Sequence, residues 1–239
     1  MDQAPPPEPH ADILSDIHAW PADVEADVPH YFDTLPDGSE TIVFGDVDTF
    51  ADHAHQQGDN PYGYQSTCGL CSCEGVLRQF GLDVTEADVV RHAVENGLCQ
   101  TEGGLAARGG TTLEQQARLL GDFGVAAHTE QATSLEDLAS HLEEGRGVIV
   151  AVNAGVLWDD GNYYEAGRPN HAALPIGAAR DPLDGRLQGF YLNDSGSGEA
   201  ARFVDAATMA DAWLHSGGGC VVTDRVRVTE ATPGERNTQ

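Results

Sequence analysis

The sequence predicts an α+β protein, with a helical front half packed on an antiparallel sheet built from the back half. Apolar residues recur at helical spacing between about residues 70 and 145. Dense β-branched runs replace that spacing after Gly145, and Gly, Asp and Pro turn signals separate the runs. Helices first and strands after is the layer logic of an α+β domain. At 239 residues and 40% hydrophobic content, the chain is long enough to bury one sizeable core.

Residues 1–38, with a Pro triplet at 5–7 and the closing "LPDGSE", read as an acidic, Pro-rich, loosely ordered lead with a short helix around 11–18. "TIVFGDV" (41–47) reads as a strand and 53–67 as a loop. Leu70, Cys73, Val76, Leu77 and Phe80 form the stripe of an amphipathic helix, stopped by Gly81 and capped by Ser66 or Thr67. Residues 84–97 make a second helix, with Thr85 as cap, Asp88 three positions on and Gly97 as stop. Residues 111–124 and 134–145 repeat that pattern. Strands are expected at 147–155, 171–180, 187–194 and 219–228, with "DPLDGR" (181–186) closing the middle two into a hairpin. A helix over 205–218 leads to the last strand, and Pro175 implies an edge or a bulge that keeps its strand short. Residues 39–230 thus form the folded domain and 231–239 a flexible tail.

Thirty-nine Asp and Glu oppose twelve basic residues, all of them Arg, for a net charge of −27 and a pI near 4.3. Such a surface repels phosphate backbones and anionic lipid, which argues against nucleic acid as a partner. It is tolerable where salt shortens the Debye length, so a halophile-like cytoplasm is expected, with structure lost below molar salt. No window approaches 18 apolar residues, so no membrane span is predicted. The N-terminus lacks the basic start and apolar run of a secretory signal, which leaves signal-independent export as the route out of the cytoplasm. Five cysteines, an odd number without framework spacing, imply reduced thiols.

Three of those thiols crowd into "STCGLCSC" (66–73). Cys68, Cys71 and Cys73 have knuckle-like spacing, but on one helix they point apart and no second C-x-x-C follows, so no metal is expected. Cys73 lies on the buried stripe and suits a core, as does Cys220; Cys99 has no assigned role. Cys68 opens the helix, where unpaired N–H groups and the positive dipole end stabilise a thiolate and Gly69 admits close backbone approach. A nucleophile needs a base and an orienting group. Of the ten histidines, nine sit in polar lead, loop or helix surroundings, whereas His171 opens a strand facing a loop. Asp194 ends the next strand of the same hairpin, beside the start of the first, where it can fix the imidazole's tautomer.

Cys68-Gly69 at a helix start, a helix closed by "GVLRQFG", Asn170-His171 opening a strand and "YLNDSG" carrying Asp194 resemble a papain-fold cysteine peptidase of the peptidase C39-like branch. The resemblance covers about residues 60–228. "GGTTLEQQARLLGDFGV" and "GRGVIVAVNAGVLW" are also similar to C39-like domains of bacterial toxins. The family's oxyanion glutamine stands six residues before its nucleophile; that position here is Tyr62, while Gln65 lies six before Cys71. Helix length and the Cys-Gly pair favour Cys68, and the Gln spacing favours Cys71. The resemblance implies amide hydrolysis by Cys68, His171 and Asp194, with Gln65 donating to the oxyanion and no cofactor. It also implies a protein or peptide substrate and, in a toxin or effector, a cognate inhibitor or immunity protein. A processing protease, a papain-fold deamidase or acyltransferase, and a catalytically inactive interaction module are the other readings.

Overall fold

The computed structural model describes residues 28–104 and 107–226. The helix expected at 11–18 and the tail 231–239 lie outside the described residues. Among the described residues eight strands pair, every pair antiparallel. They are β1 (His30–Thr34), β2 (Glu40–Phe44), β3 (Ala127–Gln131), β4 (Arg146–Val152), β5 (His171–Arg180), β6 (Leu187–Asp194), β7 (Glu199–Asp205) and β8 (Gly219–Val226). The order is β1-β2-β5-β4-β8-β3, with β6 pairing both β5 and β7.

The helices are α1 (Val47–Ala51), α2 (Cys68–Gln79), α3 (Glu86–Glu95), α4 (Leu113–Asp122), α5 (Leu135–Glu143), α6 (Ala154–Leu157) and α7 (Ala206–Met209). The helix expected over 205–218 is α7 continued by a wider π-type turn over Ala210–Leu214. Thr85, Thr112 and Ser134 each close a reciprocal capping box, with Asp88, Gln115 and Asp137 respectively. Gly81, at φ +81°, ends α2 in the left-handed conformation, and the Leu82 N–H returns to the Leu77 carbonyl.

Each central strand alternates between two apolar layers, so its sequence reads as a continuous hydrophobic run. Ile149, Ala172, Leu174, Ile176 and Val221 join α2, α3 and α4 in one core. Val148, Val150, Val152, Ala173, Cys220 and Val222 join α5, α6 and the Trp213 turn in the other. α2 packs on β5 and β4 between α3 and α4, and Leu70, Cys73, Val76 and Leu77 are fully buried.

The structure corrects several expectations. The segment read as a lead holds β1, paired along its whole length with β2. Pro175 does mark a bulge, but β5 is a ten-residue strand at the centre of the sheet. The proline falls where β5 changes neighbour, after β4 at 171–173 and before β2 at 178–180, so its missing N–H breaks neither ladder. The apolar stripe understates the burial of α2: ten of the helix's twelve residues are buried, Cys71 among them.

Arg180, at the end of β5, ties that strand to α5 through Glu143 (2.5 Å) and Glu136 (2.7 Å). Arg180→Ala is expected to destabilise by about 1–3 kcal/mol, because it strands the Glu143 carboxylate in a mostly buried place. Urea denaturation reads this, and an unchanged midpoint would contradict the assignment.

Candidate active site

α2 differs from α3, α4 and α5 in one respect. Its N-cap residue, Thr67, makes no side-chain cap bond, so a Thr67 cap is not formed. The first-turn N–H groups therefore face whatever lies at the helix start, and that is the Cys68 thiol. Gly69 is required there, since a Cβ would run into Thr111 Oγ1 and the Gln116 amide.

His171 Nε2 lies 2.7 Å from Asp194 Oδ1. The Cys68 thiol makes the other hydrogen bond to this ring, which leaves Nδ1 as the nitrogen facing sulfur. Asp194 also accepts from Trp158 Nε1 (2.5 Å) and from the Gly196 N–H (2.9 Å). The Trp158 ring tilts against the imidazole, with centroids 5.1 Å apart. Three donors thus converge on one buried carboxylate.

The electrostatics follow from those bonds. Burial pushes the Asp194 carboxyl up, but its hydrogen bonds to His171, Trp158 and Gly196 win and hold it at about 2. Burial pushes the His171 imidazolium down, but Asp194 and the thiolate raise it to about 9. Burial likewise pushes the Cys68 thiol up; His171 and the Ala172 and Gly69 N–H groups overcome it and hold the thiol below its ordinary value. Cys71, Cys73, Cys99 and Cys220 are all raised by burial. His171 thus meets Cys68 and not Cys71, whose sulfur faces Thr67 Oγ1 at 4.0 Å.

A cleft of about 740 Å³ opens over this group, lined among others by Gln56, Gln57, Gln65, Cys68, Trp158 and His171. Gln65 is exposed, and its side-chain amide lies against Gly58. Gln57 bridges the cleft floor, donating to the Gln65 carbonyl at 2.7 Å and accepting from Ser195 Oγ at 3.3 Å. The opposite wall is the segment 161–170. Asn153 Nδ2 donates to the Tyr164 and Arg168 carbonyls (2.6 and 2.7 Å), and Asn170 bridges the Ala154 N–H and the Tyr163 carbonyl (2.8 and 2.7 Å). Those bonds hold Glu165 and Ala166 at φ +41° and +57°, where non-glycine residues are strained.

Sequence reasoning missed Trp158, Gln57 and the Asn153 clamp. Trp158 follows α6, in which Ala154, Gly155 and Leu157 are buried, and nothing in its spacing announces that it turns back to the end of β6.

At and beside the site, two histidines, one aspartate and the Cys68 thiol set the expected pH response. Asp194 contributes stability in full above its ordinary 3.8 and loses it as pH falls toward about 2. His171, and His55 through Glu74, contribute in full below their ordinary 6.5 and lose it as pH rises through about 9. Cys68, held below its ordinary 9.0, gains stability as pH rises toward that value and offsets the loss at His171. The decline of thermal melts between about pH 6.5 and 9 therefore falls to His55, and His55→Gln should flatten that limb. A wild-type melting temperature unchanged across that window would contradict the assignment.

No family model matches the chain, and no curated protein matches it. Among solved structures it is similar to a chain assigned as a C39-like peptidase from Bacillus anthracis, at 14% identity and a TM-score of 0.49, over 73% of this chain and 99% of that one. It is also similar to a double-glycine motif protease from an AMS/PCAT transporter, solved in complex with the leader peptide, at 16% identity and a TM-score of 0.43, over 66% of this chain and 84% of that one. At such identities the reach of the site is set by its own side chains: a thiol, an imidazole and a carboxylate in one hydrogen-bonded line at the floor of a cleft.

Proposed function

We propose that the chain is a cysteine peptidase-like hydrolase that cleaves an amide bond through Cys68, His171 and Asp194. The observation that carries the reading is His171, bonded to Asp194 through Nε2 at 2.7 Å and to the one thiol whose pKa is lowered. The thiolate attacks the carbonyl carbon, and negative charge develops on the oxygen. The free N–H groups at the start of α2 face that charge, with the Gln65 amide as the second donor. His171 hands its proton to the leaving amine and then draws one from the water that resolves the thioester. Asp194 keeps the ring's tautomer and orientation through both steps.

The substrate is a protein or peptide, drawn into the open cleft. The chemistry needs no metal or organic cofactor. An effector or a processing protease uses this machinery alike, and an effector role brings a cognate inhibitor or immunity protein as partner. The acidic surface fits work at high salt in the cytoplasm. Among the described residues, no helix is long and apolar enough to cross a membrane. An inactive interaction module would leave the lowered Cys68 thiol without a purpose.

Incubation with a peptide library at high salt, read by mass spectrometry, tests this. Cys68→Ala should abolish cleavage, His171→Ala should lower it by about 10²–10⁴-fold, and Cys71→Ser should retain it. Trp158→Phe removes only the third donor to Asp194 and should lower kcat more than it raises KM. Cleavage that survives Cys68→Ala would sink the proposal, and deamidated peptides without chain breaks would move it to the deamidase reading.

A further inference from the structure

Outside the Cys68–His171 pair, three unlike metal-binding atoms converge. Donor atoms of the His55 imidazole, the Cys71 thiol and the Glu86 carboxylate all lie within 4.8 Å of one another. They come from the loop before α2, from α2 and from the first turn of α3. Cys71 and Glu86 are buried and His55 is half-buried. His55 Nε2 lies 2.6 Å from Glu74 Oε2, while Nδ1 is 3.9 Å from Glu86 Oε2. A carboxylate behind one ring nitrogen, with the other turned toward the remaining donors, is how metal-bound histidines are oriented.

Room and a further polar partner lie alongside. A cavity of about 20 Å³ is lined by His53, His55 and Cys71, among others. His53 Nδ1 is buried without a hydrogen-bond partner among the described residues. That volume suits one ion or one water. Existing bonds leave a vacancy too. Glu86 Oε1 accepts from the Gly58 N–H and Asn60, but Oε2 accepts at hydrogen-bond distance only from the Asp59 N–H, which leaves it one lone pair. His55 Nδ1 lies 3.1 Å from the Gln56 carbonyl, a bond that ligation would exchange.

We propose that His55, Cys71 and Glu86 form a structural site for a zinc-type divalent cation, with Glu74 orienting His55. The ligand chemistry suits a borderline-soft ion: one imidazole, one thiolate and one carboxylate, with a water from the adjoining cavity in the fourth position. The charge balances. Without the ion, an imidazolium at His55 and Arg78, 3.7 Å from Glu74, offset the two carboxylates. Binding releases one proton from His55 and one from Cys71, so a dication replaces two protons and the buried cluster stays neutral. This set differs from the Cys68–Cys71–Cys73 knuckle: it uses one thiol of the three and cross-links the loop carrying Gln56 and Gln57 to α2 and α3.

Cobalt(II) titration of the full-length Cys68→Ser variant tests the site, since that change removes the thiol beside His171 as a competing ligand. One ion per chain should bind with a thiolate-to-cobalt charge-transfer band and be displaced by zinc. Adding Glu74→Gln should weaken binding by about 10–100-fold. Adding Cys71→Ser should abolish the band, and adding His55→Gln should weaken binding at least as much as Glu74→Gln, with circular dichroism reporting that each variant is folded. Absence of the band in Cys68→Ser, or its persistence after Cys71 is also replaced, would overturn the proposal.

Discussion

The buried hydrogen bond between His171 and Asp194 is the constraint around which the rest of the molecule is arranged. Charge away from water is costly unless every lone pair and proton has a partner. Asp194 meets that condition with three donors, two from side chains and one from the Gly196 backbone. Each donor arrives from a different place: the start of β5, the segment after α6 and the turn after β6. The β5–β6 hairpin sets the first distance, and its register depends on the Pro175 bulge.

The thiol is positioned by an omission. α3, α4 and α5 close their first turns with capping boxes, and α2 leaves its own open. An uncapped helix start costs about 1 kcal/mol of stability. Here the open N–H groups serve the sulfur. The cost is offset by the burial of α2 on β5 and β4, where Leu70, Cys73, Val76 and Leu77 are sealed from water. The cleft wall shows the same balance: strain at Glu165 and Ala166 persists because Asn153 and Asn170 hold the chain on both sides of it.

The sequence revealed the buried part of this fold and little of its margin. β4, β5 and β8 bury both faces and are dense in apolar residues, and helix signals at Thr85, Thr112 and Ser134 correspond to real caps. β1, β3 and β7 went unseen because each sits at a free margin of the sheet, β1 and β3 with a mostly exposed surface, as in "HYFDT" and "AHTEQ", and β7 with one buried residue in seven. At the site, chain order and the hairpin argument were enough to bring His171 beside Asp194. Between Cys68 and Cys71 the sequence favoured Cys68 through helix length and the Cys-Gly pair, against the Gln spacing, whereas which sulfur faces the imidazole and how deeply the other is buried are tertiary properties. Trp158 was equally hidden, since a tertiary hydrogen bond leaves no period in the sequence.

Nitrogen chemical shifts of the His171 ring, measured by NMR at neutral pH and assigned by comparison with His171→Gln, test the central claim most directly. The account predicts an imidazolium with both nitrogens protonated in the resting protein, and a ring that titrates at lower pH once Cys68→Ser removes the thiolate. A neutral ring at neutral pH, unaffected by loss of the Cys68 thiol, would contradict it.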